Sequence, residues 1–222
     1  TAEPLEDGVR FCRMSPDGEE GYPGTLSASV SYRLQGHTLV MEYEASSDQD
    51  TLCSLTNHSY FNLNGGGTVL NHTLRIAADE FLETDSAVLP TGRHLPVGGT
   101  PFDFREPKPV GQDIGQDDSQ LRNGCGYDHN FCLTGEHAAV LYGDISGITM
   151  TVDTTLPGMQ LYTAGFLTER TGKSGAVYGP HHAVCLEPQF FPDAVNHDNF
   201  PSPVLKAGAE YHQTIRYRFF VR

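Results

Sequence analysis

Basic residues are scarce. Fourteen Lys and Arg stand against 28 Asp and Glu, a formal charge of −14 over 222 residues. Nucleic acid and anionic membrane surfaces are gripped through Lys/Arg patches, so neither is an expected partner, and a neutral polar ligand fits better than a phosphorylated one. No apolar run is long enough to span a bilayer, and no charged-then-apolar leader opens the chain. The five cysteines, Cys12, Cys53, Cys125, Cys132 and Cys185, include no Cys-x-x-Cys pair. That pattern predicts reduced thiols in a cytoplasmic protein, with neither a disulfide framework nor a zinc site. A phosphate-binding glycine loop, a Gly-x-Ser-x-Gly elbow and a dinucleotide fingerprint are all missing. Internal repeats and any linker-like composition are missing too, and helical periodicity is nearly absent. Residues 1–222 therefore read as one domain. The opening Thr1-Ala-Glu-Pro-Leu-Glu-Asp-Gly8 has no initiator Met and runs straight into a strand-like Val9–Met14, which predicts a processed chain or a piece of a longer one.

What is present is alternation. Leu26, Ala28, Val30, Tyr32 and Leu34 share one face, with Ser27, Ser29, Ser31 and Arg33 on the other, the pattern of a half-buried antiparallel strand. A break at Gln35-Gly36-His37 returns the chain through Leu39, Met41, Tyr43 and Ala45. Further strands are expected over 68–76, with His72 pointing outward, from near Phe131, from Ile148 to Leu156 with a turn continuing through 157–163, over 184–193 as a buried strand ending in a proline-fixed loop, and from Thr214 to Val221. Pro90–Pro109 reads as a long ordered coil anchored by Phe102 and Phe104, and 112–118 as an acidic loop. With 24 Gly and 14 Pro to make turns, the fold expected is an all-β, antiparallel sandwich.

Chemistry-bearing side chains gather at the strand ends. His58 lies in Thr56-Asn-His-Ser-Tyr-Phe-Asn-Leu63, at a strand end beside a loop; taken alone, a core histidine hydrogen-bonded to a neighbour is the simpler reading. Glu187 sits in Cys185-Leu-Glu-Pro188, an apolar run where an unpaired carboxylate is costly and its pKa is pushed toward a general base's range. The alternative is a structural carboxylate in a salt bridge. Asp128 follows a glycine-flexed loop, as a hydroxyl-binding carboxylate or a turn aspartate. His181-His182 lack a third metal ligand at a recognisable spacing, and solvated loop histidines are the reading there. Paired, His58 and Glu187 supply one proton donor and one acceptor near neutral pH.

Six segments in order, Ser15-Pro-Asp-Gly-Glu-Glu-Gly-Tyr-Pro-Gly24, Thr56–Leu63, Thr100-Pro-Phe-Asp-Phe-Arg105, Gly126-Tyr-Asp-His-Asn-Phe131, Leu161-Tyr-Thr163 and Cys185-Leu-Glu-Pro-Gln-Phe-Phe-Pro-Asp-Ala-Val-Asn196, resemble the galactose mutarotase (aldose 1-epimerase) family. The resemblance implies a large antiparallel β-sandwich and an isomerase that interconverts the α and β anomers of D-galactose or D-glucose. It implies that His58 is the acid protonating the ring oxygen and Glu187 the base at the anomeric hydroxyl. Asp128 and Gln160 would bind sugar hydroxyls, and Ser59 and Tyr60 would flank the acid. No metal or cofactor is implied, and a monomer or weak homodimer is expected. The family also carries an N-terminal portion whose sugar-contacting Arg and His have no counterpart here, so the sandwich is expected without its N-terminal strands. Gly165 stands where the family usually has Asn, which is expected to loosen that loop. Two other readings remain open. One is a non-catalytic sugar-binding or regulatory module. The other is a glycoside hydrolase with Asp128 and Glu187 roughly 5–9.5 Å apart as its carboxylate pair.

Overall fold

A computed structural model describes residues 1–221. The chain runs β1 (Ala2–Leu5), β2 (Gly8–Ser15), β3 (Leu26–Gln35), β4 (Thr38–Ser47), β5 (Thr51–Leu52), β6 (Tyr60–Phe61), β7 (Thr73–Ile76) and β8 (Ala78–Thr84). It continues through β9 (Pro90–Pro96), β10 (Lys108–Pro109), the short helix α1 (Ser119–Asn123), β11 (Asp128–Leu133), β12 (His137–Tyr142), β13 (Ile148–Thr154) and β14 (Gly158–Tyr162). Then follow β15 (Arg170–Thr171), β16 (Val177–Tyr178), β17 (Val184–Gln189), β18 (Val204–Leu205) and β19 (Glu210–Val221). A nine-stranded sheet has the order β1-β2-β3-β4-β19-β13-β12-β7-β10, and a six-stranded sheet the order β6-β17-β14-β11-β8-β9. β15 pairs with β16, and β18 with β5. The result is the expected antiparallel all-β sandwich. Among the described residues, no helix is long and apolar enough to cross a membrane.

The alternation read from the sequence explains how the two sheets meet. Met41, Tyr43, Met150, Val152, Ile215 and Tyr217 from the larger sheet pack with Phe81, Phe131, Met159, Leu161, Val184 and Leu186 from the smaller one in a single cluster. Burial of side chains this large is worth roughly 1.5–3 kcal/mol each, as an upper bound against an already partly collapsed unfolded chain. Tyr217 donates its hydroxyl to the Leu186 carbonyl at 3.0 Å, so this buried polar tip is satisfied across the layers. Phe102, fully buried, stacks on Phe81 at 4.1 Å between ring centres and meets Tyr127 and His129 edge-on.

Several details depart from the pattern. Leu34 and Val221 end their strands exposed, while Ser29 and Ser31 on the supposed solvent face are buried. Arg10 reaches across that face to Ser29 and Glu44, and its stem shields the small hydroxyls. His72 points inward. Residues 68–72 form a turn before β7, and the buried His72 ring accepts the Leu63 N–H through Nε2 at 3.1 Å. The first part of the coil expected over 90–109 is instead edge strand β9, with its prolines at the strand ends, where no ladder N–H is lost. Phe102 and Phe104 do anchor the remainder. β8 and β12 were not legible, because at least half of the residues in each are polar or alanine.

Candidate active site

The smaller sheet buries one face and presents the other, and the period of two decides which side chains appear there. Asp128 pairs with Tyr162 across β11 and β14, and Tyr162 with Cys185 across β14 and β17. One step along, Asn130 pairs with Gln160, and Gln160 with Glu187. Cys185 in turn pairs with Tyr60 of β6. These residues therefore stand in two adjacent cross-strand rows facing away from the core. Their neighbours His129, Leu161 and Leu186 point into it.

His58 arrives from the loop before β6. An Asx turn, the Ser59 N–H donating to Asn57 Oδ1 at 3.1 Å, shapes the segment, and Thr56 ties it to β17 by donating to the Pro188 carbonyl at 2.5 Å. The imidazole stacks on Tyr60, with ring centres 5.1 Å apart, and meets Tyr162 edge-on at 6.3 Å. Its Nε2 lies 3.5 Å from Glu187 Oε1. The imidazole is 52% exposed and the Glu187 side chain 8%, so the two groups meet at the floor of an open cleft.

The cleft is about 540 Å³, within the range of small-molecule sites. His58, Tyr60, Asp128, Gln160, Tyr162 and Glu187 line it, together with Asn130, Phe166 and Gln189. No Lys or Arg is among the lining residues, as suits a neutral ligand. Ser59 is not part of the lining. Sequence reasoning missed Asn130, Tyr162 and Gln189, yet each lies two residues from an identified one on the same strand. The signal was there once Glu187 and Asp128 had been placed on a face. Phe166 carried no such mark.

A polar network ties the side chains of the cleft floor together. Gln160 Nε2 donates to Asp128 Oδ1 at 2.7 Å, and Gln189 Nε2 bridges Gln160 Oε1 and Asn130 Oδ1, at 3.3 Å each. Beneath Asp128, His129 is fully buried, and its Nδ1 accepts the Asp128 N–H at 3.1 Å. Its proton therefore sits on Nε2, facing Thr84 Oγ1 at 3.2 Å. Burial lowers the His129 pKa to about 4, consistent with a neutral ring. α1 clasps Thr84 in turn. Gln120 accepts its N–H at 2.8 Å and donates to its carbonyl at 3.0 Å, and Asn123 donates to the same carbonyl at 2.9 Å. At the cleft's other flank, a side chain at Gly165 would place Cβ 1.9 Å from the Cys125 carbonyl oxygen. Glycine here permits a close backbone approach that a side chain would block.

Desolvation, then the Asp128 charge, raises the Glu187 pKa from 4.5 to about 7. Asp128 is also raised by burial, against the opposing Gln160 hydrogen bond and the nearby His58. A carboxyl raised in the folded state adds most to stability below its unfolded pKa, and that contribution is lost as pH climbs through about 7. Glu187→Gln, which cannot ionise, should therefore match the parent near pH 4.5 and exceed its unfolding free energy by about 3 kcal/mol well above pH 7. Urea titrations at the two pH extremes test this, and a pH-independent difference between the proteins would contradict the desolvation account.

Residues 1–218 match the family model described as aldose 1-epimerase. The chain is 45% identical to galactose mutarotase of Rattus norvegicus over 228 aligned residues, covering 100% of the chain and 65% of the rat protein. It thus spans slightly less than two thirds of that relative's length. Among solved structures, an aldose epimerase homologue from C. elegans superposes with a TM-score of 0.92 at 33% identity, covering 100% of this chain and 68% of the other. Galactose 1-epimerase from Lactobacillus acidophilus NCFM gives a TM-score of 0.87 at 30% identity, covering 100% of this chain and 65% of the other.

Proposed function

The chain belongs to the aldose 1-epimerase family, and from that premise we propose that it interconverts the α and β anomers of a neutral aldohexose, D-galactose or D-glucose. The observation that carries the reading is His58 Nε2 at 3.5 Å from Glu187 Oε1 in a polar cleft lined by no Lys or Arg. Opening a hemiacetal takes a proton from the anomeric hydroxyl and gives one to the ring oxygen. Those two oxygens are bonded to the same carbon, so a base and an acid held side by side can serve both.

Glu187 accepts the anomeric proton while protonated His58 donates to the ring oxygen, and the C1–O5 bond breaks to leave the open-chain aldehyde. Rotation about C1–C2 exposes the other carbonyl face. On reclosure His58 recovers its proton from the attacking hydroxyl, and Glu187 returns its own to the new anomeric oxygen. The proton count balances without a cofactor. Asp128, held by Gln160, and the Gln160–Gln189–Asn130 amides bind sugar hydroxyls. Tyr60 and Tyr162 give the sugar ring its apolar walls. The same reading makes residues 1–222 one domain, acting in the cytoplasm as a monomer or weak homodimer.

Polarimetry of freshly dissolved α-D-galactose tests the proposal. The full chain should accelerate relaxation to the anomeric equilibrium and release no new reducing ends from glycosides. Binding without acceleration would make it a sugar-binding module, and glycoside cleavage would make it a hydrolase. His58→Asn should slow the reaction by about two to four powers of ten and alter its pH profile. A normal rate and profile in that variant would remove the acid from the scheme.

A further inference from the structure

A second cluster lies on the same face of the six-stranded sheet, beyond the cleft. Cys132 of β11 stands opposite Glu80 of β8, and His94 of β9 stands opposite Leu82, the next residue of β8 on that face. His94 Nδ1 is 3.0 Å from Glu80 Oε2 and 3.6 Å from Cys132 Sγ. The three donor atoms all lie within 4.8 Å of one another. Four residues of β11, roughly 13 Å at a strand's rise, separate Cys132 from Asp128. Between the two sites, Leu82, Phe191, Ala194 and Phe200 form their own apolar cluster, against which Cys132 packs.

We propose that Glu80, His94 and Cys132 form a zinc site, with one strand of the sheet supplying each ligand and water completing a tetrahedron. Three observations carry it. First, the spacing fits: tetrahedral zinc with usual bond lengths puts N and O about 3.4 Å apart and N and S about 3.6 Å apart. The two nitrogen pairs need only tenths of an ångström of adjustment, and the carboxylate and thiol, within 4.8 Å of each other, would draw together around the ion. Second, one nitrogen faces two partners whose demands conflict. With a proton, Nδ1 can serve the carboxylate but cannot accept from the thiol; without one, it can accept from the thiol but opposes the carboxylate lone pairs. A cation among the three groups satisfies all of them. Third, the donor set is a thiolate, an imidazole and a carboxylate, which favours zinc over magnesium or calcium and cancels its double charge.

Zinc takes cysteine as the thiolate, so binding releases the Cys132 thiol proton to solvent. The Glu80 side chain is 51% exposed and that of His94 26%, which leaves an entry path. The rings of Phe191 and Phe200, centred 5.9 and 5.5 Å from the His94 ring, wall the inner side. Reading the cysteines by sequence spacing predicted no zinc site, because these ligands come from three strands and converge only through their register. Bound metal would tie β9, the sheet's outer strand, to β11.

The test uses the full, reduced, metal-free chain. Titration with Zn²⁺ against a chromophoric chelator should show one equivalent bound. Co²⁺ should give a thiolate-to-metal charge-transfer band that is absent in Cys132→Ser and retained in Cys185→Ser. His94→Gln and Glu80→Gln, changes at partly exposed positions checked for folding by circular dichroism, should each weaken binding by about tenfold or more. Zn²⁺ should raise the melting midpoint of the parent but not of Cys132→Ser. Absence of stoichiometric uptake, a cobalt band that survives in Cys132→Ser, or His94→Gln binding as tightly as the parent would each overturn the proposal.

Discussion

Glu187→Gln will lower the turnover number for mutarotation by about two to four powers of ten while sugar affinity changes little. The amide keeps the shape and hydrogen-bonding reach of the carboxylate but cannot hold the anomeric proton. With its pKa raised to about 7, Glu187 can exist in both protonation states at neutral pH, as the proposed base requires. Asp128, Gln160 and Gln189 hold one another through their own hydrogen bonds, so hydroxyl recognition outlives the substitution. The expected signature is a fall in kcat with KM nearly unchanged. A Gln variant at the parent's rate would move the base elsewhere, and a variant that loses binding and rate together would make Glu187 a binding group.

Phe102→Ala should be the most destabilising of the substitutions considered, by about 3–5 kcal/mol in urea unfolding. Phe102 is fully buried, stacked on Phe81, and packed edge-on against Tyr127 and His129. Truncation leaves a void that these three rings cannot close without moving β8 against β11. Because His129 lies directly under the Asp128 backbone, the same change should weaken sugar binding before it alters the proton-transfer pair. A loss below about 1 kcal/mol would show that the 97–110 segment repacks freely and does not anchor the strand beneath the cleft.

These two substitutions mark what could be read from the chain alone. Glu187 was legible because a carboxylate inside an apolar strand must be either compensated or functional. Phe102 was legible because an aromatic within a Pro/Gly-rich stretch has to be buried somewhere. His72 was misread because an alternating pattern was extended through a turn, and the ring that should have faced water satisfies a backbone N–H inside. Tyr162 and Gln189 were present in the quoted motifs but carried no role until register set them beside Asp128 and Glu187. The short helix α1 is too brief for a period of 3.6 to show. It is recognisable only by Asp118, whose side chain accepts the Gln120 and Leu121 N–H groups at its start. Its Gln120 clasp on Thr84 is a tertiary contact between residues 36 apart, beyond any local signal.

The rows across β11, β14 and β17 make the chemistry a matter of parity. Residues 128 and 130, 160 and 162, and 185, 187 and 189 share one side of the sheet. Lengthening β17 by one residue upstream of Glu187 would turn Leu186 into the cleft and drive the carboxylate into the hydrocarbon interior. Adding two would restore the side but shift the base one row from its imidazole. Insertions and deletions are therefore tolerable in this chain's turns and forbidden inside those three strands, whatever residue is added.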